Sequence, residues 1–321
     1  MPVNRCNMRC HYCYIGQTYG FNEEVAKSNE ALCREARDYV ESMSPKRLGG
    51  LCYMNFCANG ETLLLKELLP LCKGLVKQGH IVSIVTNALY RKPLAELLKL
   101  PSKLRKYLFL KCSFHYLELQ RLGLVNSFFD NIDLINKSGV SFSIELNVND
   151  EIVSHITDIK ELCQKRAGAH CHIIESRDNA NPLLPRLTKL SVKEHQAAWS
   201  SFDSPMFDYQ QKVYEQKRME FCMAGVKSVS LNLQNGEATQ CDEHGYLGNI
   251  FHKINFRPIG HSCPLPHCYN IHVYQVLCGN MEDLDKEVAA PSYAECRDRQ
   301  SSDGSSWLTP YIKKHFSKRI R

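Results

Sequence analysis

Leu51-Cys52-Tyr53-Met54-Asn55-Phe56, then the leucine-rich stretch Leu63 to Gln78, then Ile81-Val82-Ser83-Ile84-Val85 form the unit that decides the fold. The two outer runs are short and apolar, with the aromatic and β-branched content of strands. The leucines between them recur at helical spacing. The pattern repeats along the chain. Further strand-like runs begin at Leu108 (Leu108-Phe109-Leu110-Lys111-Cys112), Val140 (Val140-Ser141-Phe142-Ser143-Ile144) and His170 (His170-Cys171-His172-Ile173-Ile174). They are spaced by roughly 30 residues, the length of a βα unit. Glu23 to Met43, Pro93 to Leu100, Leu117 to Lys137 and Val153 to Arg166 read as helices. Parallel strands need a crossover, so repeated βα units predict an α/β fold: a parallel sheet with helices outside. Such sheets bind ligands at the carboxyl ends of their strands.

The chain has 321 residues, 44% of them apolar, which suffices for one large domain plus a small one. The asparagine- and proline-rich segment from Asn179 to Pro185 marks a boundary. Beyond it, two helical stretches (Val192 to Ser201, Met206 to Glu220) precede two strand-like runs, Ser228 to Leu233 and Glu237 to Cys241. These flank Asn235-Gly236, a hairpin signal. Three segments follow from this: 1–185, 186–296, and 297–321, the last read as a polar loop and a basic helix. No apolar stretch approaches the roughly 20 residues of a membrane span, and the start lacks a secretory pattern. A cytoplasmic protein is expected. Its sixteen cysteines then point to metal or redox chemistry rather than disulfides. The net charge of +6 is mild. The basic run Lys313 to Arg319 reads as a solvated terminal helix in preference to a nucleic-acid site.

Three cysteines sit in Cys6-Asn7-Met8-Arg9-Cys10-His11-Tyr12-Cys13, a C-x3-C-x2-C run. A 4Fe–4S cluster normally takes four cysteine ligands. Three would leave one iron open to a small molecule. The competing reading is a structural zinc site, which wants four ligands. His11 is a poor fourth, because it lies inside the loop beside Cys10.

This run resembles the signature of the radical S-adenosylmethionine (radical SAM) enzymes. The resemblance implies a partial (β/α)6 barrel and a SAM-binding 4Fe–4S cluster on Cys6, Cys10 and Cys13. It also implies cleavage of SAM to a 5′-deoxyadenosyl radical that abstracts hydrogen from a substrate C–H bond. Asn59-Gly60-Glu61 is similar to the family motif that holds the amino group of SAM. Gly60 permits close backbone approach and Glu61 supplies charge, while Glu61 and Thr62 can equally cap the next helix. Ser113 and Asn147, at later strand ends, match positions near the SAM carboxylate and ribose. His115 and Glu145 read as substrate groups or as a satisfied polar pair. Arg177 reads as a partner for a carboxylate or phosphate, or as a surface ion pair. Only Met1 to Arg5 precede Cys6, so the barrel's first strand is expected to be short or missing, with its activity correspondingly in question.

Cys222, Cys241, Cys263 and Cys268 form a second group. Cys222 and Cys241 bracket the hairpin as C-x13-G-x4-C, which resembles the opening of the SPASM and twitch extensions of the same family. Four cysteines complete one auxiliary 4Fe–4S cluster, and four thiolates also suit zinc. Cys278 and Cys296 are left as ligands of a further site. Cys57, Cys112 and Cys171 lie in or at the ends of strands, where a thiol facing the cavity could return a hydrogen atom to a substrate. Relatives with such extensions modify peptides or proteins, or oxidise carbohydrates, and take electrons from an external donor such as flavodoxin or ferredoxin. The alternative is a non-catalytic metal-binding scaffold.

Overall fold

Strands β1 (Tyr53–Phe56), β2 (Ile81–Thr86), β3 (Leu108–Ser113), β4 (Ser141–Asn147) and β5 (His172–Ile174) lie side by side in chain order, each neighbouring pair parallel. The computed structural model describes residues 2–20, 31–242 and 244–318. Among them, no helix is long and apolar enough to cross a membrane.

The alternation of side chains along each strand separates two environments. Val82, Ile84, Leu108, Leu110, Phe142 and Ile144 join the large core under the outer helices. The other face begins apolar, where Ile81 and Phe109 join a second core with Tyr293, Ile312 and Phe316. It then turns polar toward the carboxyl ends, through Ser83, Lys111, Ser143 and Glu145. That polar face is the barrel interior.

The outer helices include Leu68–Lys77, Arg91–Leu98, Val125–Lys137 and Ile156–Ala167. The stretch read as one helix from Leu117 to Lys137 is two, Tyr116–Arg121 and Val125–Lys137. Gly123, at φ 67°, takes the left-handed turn between them. Of the expected helix Glu23 to Met43, Ala36–Ser42 is helical, and residues 21–30 lie outside the described residues.

No strand precedes Cys6 among the described residues. Instead the Gly60 N–H donates to the Val3 carbonyl (2.7 Å) and the Glu61 N–H to the Arg5 carbonyl (2.8 Å). Two backbone bonds thus dock the stub on the turn after β1, with Val3 fully buried.

The last helix, Pro310–Phe316, is not solvated all round as its basic run suggested. Ile312 and Phe316 are buried, and Phe316 lies edge-on to Tyr53 (5.6 Å), Phe109 (5.2 Å) and Tyr293 (4.8 Å). Trp307 stacks on Phe142, and its carbonyl accepts the Phe142 N–H. Edge-to-face aromatic pairs contribute about 0.5–1.5 kcal/mol each beyond area burial. This segment closes the amino ends of the strands. Arg297, read as part of a polar loop, is fully buried, for a reason given below.

Beyond the barrel, β6 (Ser230–Leu231), β7 (Glu237–Cys241) and β8 (His244–Asn249) form an antiparallel sheet. β6 and β7 are the predicted hairpin, and Leu247-Gly248-Asn249 adds the third strand.

Candidate functional site

The cysteine loop is tied to the carboxyl ends of several strands. After β2, the Asn87 side-chain amide donates to Asn7 (2.7 Å) and reaches the Cys6 sulfur at 3.8 Å. After β3, the Tyr12 hydroxyl meets His115 Nδ1 at 2.7 Å, and Glu118 accepts the Arg9 backbone N–H at 2.7 Å. After β5, the Asn179 N–H donates to Gln17 at 2.7 Å. Cys13 is the N-cap of helix Tyr14–Tyr19, and its N–H donates to the Cys10 carbonyl (3.0 Å). The Met8 N–H donates to the Cys6 sulfur at 3.4 Å.

Burial pushes the Cys6 thiol up to about 11 and Cys10 to about 12, with Cys13 adding to both. Three crowded thiolates in a half-buried loop repel each other unless a cation compensates, and a coordinating metal deprotonates a thiol outright. His11, the possible fourth ligand, turns outward and lies 3.3 Å from Glu151. The donor set therefore fits a cluster held by three thiolates with one position open.

The turn after β1 explains Gly60. A Cβ there would sit 2.0 Å from the Arg5 carbonyl oxygen. Asn59 donates to the Asn4 side chain at 3.2 Å. The Glu61 carboxylate is buried and fully engaged. It accepts from the Leu63 N–H (2.9 Å), the Thr86 hydroxyl (2.5 Å) and the Asn87 N–H (2.8 Å). It caps the short helix Thr62–Leu64 and braces the ends of β1 and β2, and burial raises its pKa against those three donors. Ser113 and Asn147 close β3 and β4 at the same mouth. Among the described residues neither side chain is engaged by another.

The other candidates have partners. His115 serves Tyr12. Glu145 pairs with Arg297 at 2.6 Å and accepts the Ser143 hydroxyl at 2.6 Å, which is what draws Arg297 into the interior. Arg177 makes no ion pair among the described residues. It donates to Asn179 (2.7 Å) and lies over the rings of Tyr14 (4.7 Å) and Tyr269 (3.9 Å). Cys112 and Cys171 are buried in the outer core, so neither faces the cavity. Cys57, just past β1, is exposed.

Cys222, Cys241, Cys263 and Cys268 line one small cavity with Tyr274 and Met281. Burial raises Cys268 well above the usual thiol range, and Cys241, Cys222 and Cys263 raise it further. Cys241 is pushed up to about 12, first by burial. As thiolates these four would repel each other around one cavity, and a metal cluster would relieve that repulsion. Cys278 and Cys296 are buried and do not line it. Tyr269 donates its hydroxyl to Asp242, next to Cys241, and His267 meets the Leu184 carbonyl at 2.9 Å. Among the described residues no three His, Cys, Asp or Glu side chains converge as a set for a single metal ion. Thiolates bound to separate irons stand farther apart than those converging on one ion.

No protein-family profile matches the sequence, and no curated protein matches it. Solved structures do match. SuiB of Streptococcus suis bound to S-adenosylmethionine aligns with TM-score 0.53 at 13% identity, covering 90% of this chain and 69% of that one. SuiB bound to the precursor peptide SuiA gives 0.54 at 13%, covering 90% and 70%. Native anSMEcpe with bound AdoMet gives 0.53 at 16%, covering 98% and 94%. The chain shares the fold of these structures. In this fold the cysteine loop, the Gly60 turn, Ser113 and Asn147 share the carboxyl edge of one parallel sheet. Sequence reasoning missed Asn87 and Glu118 as anchors of the loop, and it passed over Lys111, whose signal was a charge inside an apolar strand run.

Proposed function

We propose that this chain is a radical SAM enzyme acting on a peptide or protein. Cys6, Cys10 and Cys13 would hold the 4Fe–4S cluster, and Asn59, Gly60, Glu61, Ser113 and Asn147 would form the cradle for S-adenosyl-L-methionine. Held there, such a cluster would supply the electron for reductive cleavage of SAM and so the radical chemistry that abstracts hydrogen from a substrate C–H bond. The chain's own residues do the positioning. Gly60 leaves room for the docked stub, and Glu61 fixes the turn that carries it. Ser113 and Asn147 offer polar groups at the mouth that no other described residue engages. Cys222, Cys241, Cys263 and Cys268 would hold an auxiliary 4Fe–4S cluster in a second domain spanning 186–296, after a barrel over 1–185. An external donor such as flavodoxin or ferredoxin would reduce the protein in the cytoplasm.

The observation that carries this reading is the three-thiol loop pinned at the strand mouth while His11 points away. A peptide substrate is favoured over a carbohydrate by the likeness to SuiB, which has been solved with its precursor peptide. Anaerobic reconstitution tests the proposal. The expected result is about eight irons per chain, four per cluster, and reductive cleavage of SAM to 5′-deoxyadenosine. About two zinc ions and no iron would instead establish a structural scaffold.

A further inference from the structure

The inward face of β3 carries Phe109, Lys111 and Ser113 from floor to mouth. Phe109 packs on Phe316 at the closed end, and Ser113 stands at the open one. Lys111 lies between them, in register with Val85 on β2 and Ser143 on β4, and is only 3% exposed. Among the described residues its ammonium has no hydrogen bond or ion pair. The carboxylate on this face, Glu145, is already committed to Arg297 and Ser143. Arg297 is fully buried, and beyond its ion pair with Glu145 none of its three guanidinium nitrogens has a hydrogen-bond acceptor. His272 is a partly buried neutral neighbour on the second domain's side. Burial holds its pKa well below the usual value, and Arg297, Lys111 and Arg177 depress it further.

Among the described residues this face sets the cations Lys111 and Arg297 against the carboxylate of Glu145. A cation in a nearly buried side chain without a counter-charge is costly, and an incoming anion relieves that cost. We propose that Lys111, beside the Arg297–Glu145 pair, forms a recess that binds a carboxylate or phosphoryl group of the substrate. The substrate assignment rests on the radical SAM reading; the anion site itself does not. The backbone of Lys111 lies two residues, roughly 6.6 Å at about 3.3 Å per residue, below Ser113, and so beneath the strand ends assigned to SAM.

The test is calorimetric titration of the reconstituted protein with inorganic phosphate and, separately, with acetate, each with and without SAM. The expected result is one site for at least one of the two anions. Lys111→Met should weaken it at least tenfold, and Lys111→Arg should retain it within a few-fold. Preference for phosphate assigns a phosphoryl group, and preference for acetate a carboxylate. Binding of neither anion, equal binding by Lys111→Met, or competition by SAM overturns the proposal. Should Lys111→Met fail to fold, the wild-type protein decides. Phosphate or acetate should protect Lys111 from reductive methylation, read by peptide mass spectrometry, and unchanged modification overturns the recess. Wild-type SAM cleavage is assayed on the same sample. Its failure sinks the enzyme reading alone, whereas loss of anion binding sinks the recess alone.

Discussion

The Tyr12 hydroxyl and the His115 imidazole meet at 2.7 Å, joining the cysteine loop to the end of β3. Burial lowers the His115 pKa from 6.5 to about 4, so the ring stays neutral in the fold. Because the folded value is depressed, its contribution to stability is complete above 6.5 and is lost as the pH falls toward 4. Denaturant unfolding of the wild type and His115→Gln across that range should show the wild type losing more stability on acidification. Parallel curves would remove His115 from the pH response.

Gly60 admits no side chain. Its Cβ would fall 2.0 Å from the Arg5 carbonyl oxygen, a backbone atom that cannot swing aside. Gly60→Ala should cost about 1–3 kcal/mol, the usual range for overpacking. It should also lower the iron bound by the first cysteine loop, which follows the docked stub. Normal iron content together with unchanged stability would contradict the docking described above.

Arg297 and Glu145 form a buried pair 2.6 Å apart. Arg297→Met strands the carboxylate and should cost about 3–5 kcal/mol. Adding Glu145→Gln should recover part of the loss, because the residual group is then neutral. Strict additivity in this double-mutant cycle would mean that the two side chains do not interact.

Cys57 is exposed whereas Cys112 and Cys171 are buried. Iodoacetamide should therefore modify Cys57 in the native protein and reach the other two only after unfolding. If Cys57 returns a hydrogen atom to the substrate, Cys57→Ala abolishes product while SAM cleavage continues. Undiminished product would end that role.

The auxiliary site makes a separate prediction. Cys268→Ala should cut bound iron from about eight to about four per chain and leave SAM cleavage measurable. An unchanged iron count would remove Cys268 from the ligand set.

The strands were legible because each is a short apolar run flanked by helical leucine spacing. The first cysteine group was legible as a group because its three thiols share one loop. The second was legible because Cys222 and Cys241 bracket an Asn-Gly turn. What escaped depends on pairings distant in sequence. Arg297 lies in a polar segment, and only the position of Glu145 on β4 explains its burial. Phe316 sits among lysines in a helix whose apolar side is visible only once Tyr53 and Phe109 are placed beneath it. Glu61 was legible as a cap, but its bonds to Thr86 and Asn87 across the next strand were not. Sequence spacing locates a carboxylate but not its hydrogen bonds.

The ring of Phe316, wedged among Tyr53, Phe109 and Tyr293, makes the barrel a blind well. Nothing can pass between the strands through that floor, so on the proposed function a substrate would approach from the carboxyl edge, where Ser113 and Asn147 stand.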